Sequence, residues 1–425
     1  MNTETCKQRI DILRPDTNGG SYRVVSLLPG LDFVFVRSGN ESQLSPTVRL
    51  FGDPTVEGFA IEEVSGSGSV PQLRATNLSP FDILLIAGQL VKGGKQNRGL
   101  NADILVYAGQ SAAVPVTCVE RGRWSGQSGT RFQHGGFEPA SLRQSKMHSV
   151  HESRRSSGEC RANQSTVWRD IDQLSRACQS HSTSADLLNC YETMDARRAE
   201  GQPIVGCTDP ALLQELAFLE RRILALNRDA QQMLESIQRA LDGGLTEQAT
   251  IGRRSLDLTL RQLGVLQPRY LRRRQRMEQE GTREPTETVT AERIAAANQA
   301  AVGASGLLVY FGGQFLTGDI FANAQWFEML YGDLRNSALI SWKLTSTRAP
   351  QELNQPRPVT HEMLESSARE ILGAAAEGEW VDRPSVAQGR AHLLVHQDYE
   401  SAVLFDRSDV PLHLLLSSKR VPTIF

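Results

Sequence analysis

Two cations and two amides stand side by side in the stretch 88-GQLVKGGKQNRGLNADILVY-107, where Lys95, Gln96, Asn97 and Arg98 follow Gly93 and Gly94 directly. A tight turn needs a Gly or Asn where φ is positive, not four long polar side chains in succession. Glycines let a backbone approach a ligand closely. Cations take phosphate oxygens, and amides pair with a base or a ribose. The same residues can also tie neighbouring loops together, so the turn has both a binding and an architectural reading. Neither GxxxxGK[ST] nor GxGxxG occurs in the chain.

A second constellation is 118-CVERGRW-124. Glu120 ends an apolar run, where a carboxylate can act as a base or orient a cation. Arg121 and Arg123 follow it, and Trp124 offers a stacking face. The alternative is an internal Glu–Arg pair beside a core Trp. The two segments bracket one strand-like run, ADILVYA, and alternate turns of a meander meet at one sheet edge. Lys95, Gln96, Asn97, Arg98, Glu120 and Trp124 are therefore expected to line one concave site, with Gly93, Gly94, Arg121 and Arg123 as further ligand-binding candidates. Glu120 is the candidate catalytic group, and Arg143 of PASLR is a further candidate cation. No HExxH occurs, and His392 and His396, four apart on a predicted strand, share a face but are too distant to chelate one metal easily, so no metal site is expected; no GxSxG appears. The residues name no cofactor and leave open whether any reaction is catalysed.

The elements that must hold these groups come from patterning. From Tyr22 to Glu120, short β-branched and aromatic runs alternate with Gly, Pro, Asn and Ser, which predicts antiparallel strands. Residues 125–163, rich in Gly, Ser, Arg and His, read as an irregular loop, and helices follow over 163–200. Leu212, Leu216, Leu219, Ile223, Leu226, Ala230, Met233, Ile237 and Ala240 keep a spacing of four and three, a coiled-coil seam. Asp242-Gly243-Gly244 breaks it, and a second helical pattern carries Leu256, Leu260, Leu263 and Tyr270. Together these predict an antiparallel helical hairpin. Further on, GLLVYFGGQFLTGDIF predicts two strands, AQWFEMLYGDLRNSALISWKL and HEMLESSAREILGAAAE two helices, and the C-terminus three strands. The expected class is α+β, antiparallel and β-rich first, mixed helix and strand later. Its expected parts are a loose arm over 1–20, a body of 21–204 with 289–425, and an inserted hairpin at 205–288.

In chain order, GQLVKGGKQNR, VPVTCVERGRW, PASLR, NQSTVW and GLLVYFGGQFLTGDIF resemble the ADP-ribosylglycohydrolase and rhodanese-phosphatase associated protein family. The resemblance spans roughly 20–200 and 290–420, and the hairpin looks like an insertion within it. It implies a link to ADP-ribose and NAD metabolism, and with it a nucleotide or ADP-ribose-like small molecule as ligand. A scaffold whose hairpin binds a protein partner is the competing expectation. The net charge of −2 draws the whole chain to neither nucleic acid nor acidic membranes, although Arg269, Arg272, Arg273, Arg274 and Arg276 cluster on the hairpin's second helix. No apolar run approaches a membrane span, and MNTETCKQRIDILRPD lacks a signal core, so a cytoplasmic protein is expected.

Overall fold

The computed structural model describes residues 3–420 except 12, 18, 40–46, 66–68, 70, 124–130, 181–183, 200–209, 243–245, 282–290, 349–358 and 384. The chain divides into two compact units, Met1–Ile204 with Glu287–Phe425, and Val205–Thr286.

The first unit is built on an eight-stranded antiparallel sheet. Its strands, in spatial order, are β1 (Ser21–Leu28), β2 (Leu31–Arg37), β12 (Gly306–Phe311), β13 (Gln314–Phe321), β17 (Pro411–Ser418), β16 (Tyr399–Phe405), β15 (Arg390–Val395) and β14 (Glu379–Arg383). Side chains alternate across a strand, and β2 uses both faces. Phe33 and Phe35 join a core with Phe327, Leu330 and Leu334, while Val34 and Val36 join another with Ile10, Leu364 and Ile371. Because both faces are covered, LDFVFVR reads as one apolar run.

One cover is α9 (His361–Glu377), whose N-terminus is capped by the Thr360 side chain accepting from the Met363 amide. On the other side, α8 (Ala324–Arg348) supplies Phe327, Leu330 and Leu334. Two smaller sheets pack together, and the first carries the polar turn between two of its strands. One orders β11 (Gln133–Phe137), β7 (Gln89–Lys92), β8 (Arg98–Leu100), β10 (Ser111–Cys118), β5 (Gln72–Asn77) and β4 (Phe59–Glu63). The other orders β3 (Val48–Leu50), β6 (Asp82–Leu85) and β9 (Ile104–Val106), with β3 parallel to β6. Ile61, Leu73, Val114 and Val116 of the first pack on Ile83, Leu85, Ile104 and Val106 of the second. The protein is α+β.

Three expectations are corrected. The N-terminal segment is not a loose arm: α1 (Thr3–Asp11) buries Cys6 and Ile10, and Leu13 follows, all in the core beneath α9. Their spacing of four and three is hidden in an otherwise polar sequence. Residues 125–163 are not one irregular loop, since they contain β11 and α2 (Ala140–Ser156). Pro139 occupies the N-cap of α2. The C-terminus adds a fourth strand, β14, ahead of the three expected.

The second unit is two long helices, α5 (Pro210–Asp242) and α6 (Thr246–Gly281). Leu219, Leu226, Ala230, Ile237 and Ala240 of α5 are buried, as are Ala249, Thr259 and Leu263 of α6. Leu260 is not a seam residue: it is 52% exposed, and Thr259 takes the inward position. The side chains of Leu212, Leu216 and Tyr270 lie outside the described residues. We propose that this unit is separable. Deleting 209–280 and bridging with a short flexible linker should leave a soluble body with a cooperative melt; aggregation on expression would show that the hairpin is needed for the core.

Candidate functional site

The turn after β7 and the end of β10 do meet. Antiparallel pairing of β8 with β10 sets Arg98 opposite Cys118, which places residue 97 beside residue 120. The Asn97 amide donates to Glu120 Oε2 at 3.0 Å, and Asn97 Nδ2 donates to Asp186 Oδ2 at 3.0 Å. Asn97 Oδ1 accepts from the Gly93 amide at 2.9 Å. Glu120 is chelated by Arg123, with Nε to Oε1 at 2.8 Å and Nη2 to Oε2 at 2.6 Å. Arg123 Nη1 also donates to the Gly94 carbonyl at 2.7 Å. Burial works against the Glu120 charge, but the Arg123 and Asn97 hydrogen bonds outweigh it and hold the carboxyl below its usual range. A carboxylate held in this way is a poor base.

The rest of the turn makes contacts of its own. Arg98 is fully buried, donates to Gln96 Oε1 at 2.9 Å, and burial lowers its pKa. The Lys95 amide donates to Glu63 Oε1 at 3.1 Å, and Gln96 Nε2 reaches the Arg121 carbonyl at 3.4 Å. Arg121 turns away, donating to both oxygens of Asp172 and lying 5.1 Å over the Trp168 ring. Gly93 and Gly94 have φ of 131° and 50°, the left-handed region that favours glycine. Trp124 lies outside the described residues. The turn thus clamps three chain segments, around residues 63, 120 and 186.

Arg143 belongs to a different cluster. On α2 the inward residues Leu142, Arg143, Lys146, Met147, Val150, His151 and Arg154 recur at helical spacing, so one buried face alternates apolar and basic groups. Arg143 grips Asp319 of β13 in a two-pronged pair, Nη1 to Oδ2 at 2.9 Å and Nη2 to Oδ1 at 2.5 Å. His413 of β17 bridges Asp319 Oδ1 at 3.2 Å and Asp103 Oδ2 at 2.8 Å. Burial opposes every charge in this chain. The neighbouring opposite charges win, pushing His413 up to about 9 and Asp319 down to about 2.

Next to it, Lys146 Nζ lies 2.7 Å from Glu138 Oε1 and donates to the Leu100 carbonyl at 2.7 Å. Two glycines make the room. A Cβ on Gly99 would sit 1.8 Å from Glu138 Oε1, and one on Gly88 would sit 2.6 Å from Arg143 Nε. Burial raises Glu138 and lowers Lys146, each toward its neutral form.

Arg143, Lys146, His151 and Arg154, together with the carboxylates of Asp103 and Glu138, wall a cavity of about 40 Å³, lined on its other side by Ala391, Val403 and Leu415 of the large sheet. That is room for about three waters or one small anion. Arg143 Nε and His151 Nδ1 are buried without a hydrogen-bond partner among the described residues. The nearest carboxylate oxygen to His151 Nδ1, Glu400 Oε2, is 4.0 Å away. Burial, then Arg154, Arg155, His148 and Lys419, depress His151 to about 3, so the imidazole is neutral in a cationic surrounding.

Residues 35–203 match the family described as ARG and Rhodanese-Phosphatase-superfamily-associated Protein domain, ARPP-1. Over this stretch the chain is similar to that family. The match ends at 203, so the resemblance expected over 290–420 is not part of it. No curated protein and no solved structure matches the chain. The ARPP-1 stretch contains the polar turn and the whole basic face of α2, while Asp319 and His413 come from strands beyond it. The sequence reading found Arg143 and missed Asp103, Glu138, Lys146, His151, Arg154, Asp319 and His413. The missed signal was the spacing of three and four from Arg143 to Arg154, obscured by reading the segment as a loop.

Proposed function

We propose that the body binds the phosphate end of a nucleotide-derived small molecule, and that it does so at the α2 cavity and not at the polar turn. The observation that carries this reading is the pair of buried, unpartnered nitrogens, Arg143 Nε and His151 Nδ1, on a wall shared with Lys146 and Arg154. A phosphate oxygen would satisfy Arg143 with a charge-assisted bond, and a protonated phosphate or a tautomer shift would satisfy His151. The dimensions suit a phosphate group, so a base or sugar would extend outside. The family description adds context, since it associates the domain with ADP-ribosylglycohydrolases. No helix among the described residues is long and apolar enough to cross a membrane.

Thermal shift with inorganic phosphate, AMP, ADP-ribose and NAD, with ribose as the uncharged control, tests this. A phosphate-bearing compound at a hundred times its Kd should add about 2.7 kcal/mol of stability. Arg154→Gln should weaken that ligand by about 1.5–3 kcal/mol, as for other charge-assisted contacts. Lys95→Ala, in the turn, should leave the shift unchanged. The proposal is refuted if phosphate compounds give no shift, or if Lys95→Ala and not Arg154→Gln removes it.

A further inference from the structure

We propose that the outer face of α6 docks an acidic amphipathic helix of a partner protein. The face of α6 turned to α5 is already spent. Ala249 packs with Ile237 and Ala240, and Thr259 Oγ1 reaches Met233 Sδ at 3.8 Å. A Cβ on Gly252 would lie 2.7 Å from Ile237 Cγ1, so the bare α-carbon brings the two helices close. A second set of apolar residues lies elsewhere on α6. Ile251, Leu258 and Val265 are 59%, 62% and 69% exposed, and each is seven residues from the next.

Seven-residue spacing puts three side chains in one line along a helix, as in a coiled-coil seam. Arg254 and Arg261, both exposed, fall between them at steps of three and four, on the same face. The line stops short of Pro268, which lies inside α6. An apolar line edged by arginines matches a helix whose own apolar line is edged by Glu or Asp. Asp257 pairs with Arg261 at 2.8 Å, but both are largely exposed and the pair yields readily to a stronger partner. A second copy would bring the same arginines, and among the described side chains flanking this line only Asp257 answers them, so charge favours an acidic partner over self-association.

The test uses the full chain and two synthetic three-heptad peptides, each with Leu at the apolar positions, one flanked by Glu and one by Lys. By fluorescence anisotropy the Glu peptide should bind, more weakly as salt rises, and the Lys peptide should not. Arg254→Glu with Arg261→Glu, and separately Leu258→Asn, should each weaken binding by about tenfold or more. All three positions are exposed, and circular dichroism melts should match the wild type. Equal binding of both peptides, or binding indifferent to the charge reversal, overturns the proposal. So does a concentration-dependent dimer in sedimentation that Leu258→Asn abolishes, since the occupant is then a second copy.

Discussion

Asp319→Ala is expected to destabilise the protein by about 3–5 kcal/mol, a third or more of an ordinary domain's stability. The substitution removes the carboxylate shared by Arg143 and the His413 imidazolium, both buried. It leaves two cations in a low-dielectric interior with only Asp103 and Glu138 nearby. The pH dependence follows from the two shifts. His413 is raised from 6.5 to about 9, so its contribution is complete below pH 6.5 and lost as pH rises through 9. Asp319 is lowered from 3.8 to about 2, so its contribution is present above pH 3.8 and lost as pH falls through 2. Denaturant unfolding of wild type and Asp319→Asn should therefore show the largest gap near pH 5–6 and a smaller one above pH 9. A gap under about 1 kcal/mol at every pH would show that Asp319 is not the pivot of the ion chain.

Arg98→Ala is expected to lower stability by about 2–3 kcal/mol whether or not any phosphate compound is present. Its guanidinium is fully enclosed, so truncation leaves a void and removes the donor to Gln96 Oε1. Gln96 in turn holds the Arg121 carbonyl, so the disturbance reaches the segment that carries Glu120 and Arg123. A ligand-facing arginine would behave in the opposite way, with apo stability nearly intact and ligand binding weakened. Melting curves of wild type and Arg98→Ala, each with and without ADP-ribose, separate the two. An unchanged apo melt with a lost ligand shift would return the turn to a binding role.

The strands were legible because β-branched and aromatic runs bounded by Gly and Asn leave few alternatives, as in LDFVFVR and SAAVPVTC. The meeting of residue 97 with residue 120 was legible too, because a meander fixes which turns share an edge. What those polar side chains do there was not. Side-chain type gives the groups on offer, but whether Arg123 faces Glu120 or solvent depends on packing between segments distant in the chain. The buried ion chain was harder still. Asp103 sits in the turn between β8 and β9, Asp319 on β13 and His413 on β17, and they meet only where that turn reaches the two paired strands of the large sheet. The basic face of α2 was readable from spacing alone, but a polar, Gly- and Ser-rich context masked it.

The most direct measurement is a crystal structure of the full chain at high resolution, grown with saturating ADP-ribose and, separately, with inorganic phosphate. The account predicts a phosphate group in the α2 cavity, within about 3 Å of Arg143 Nε and in contact with His151 or Arg154. Phosphate density at the Lys95–Arg98 turn, or ligand-free density in the cavity at saturating concentration, would contradict it.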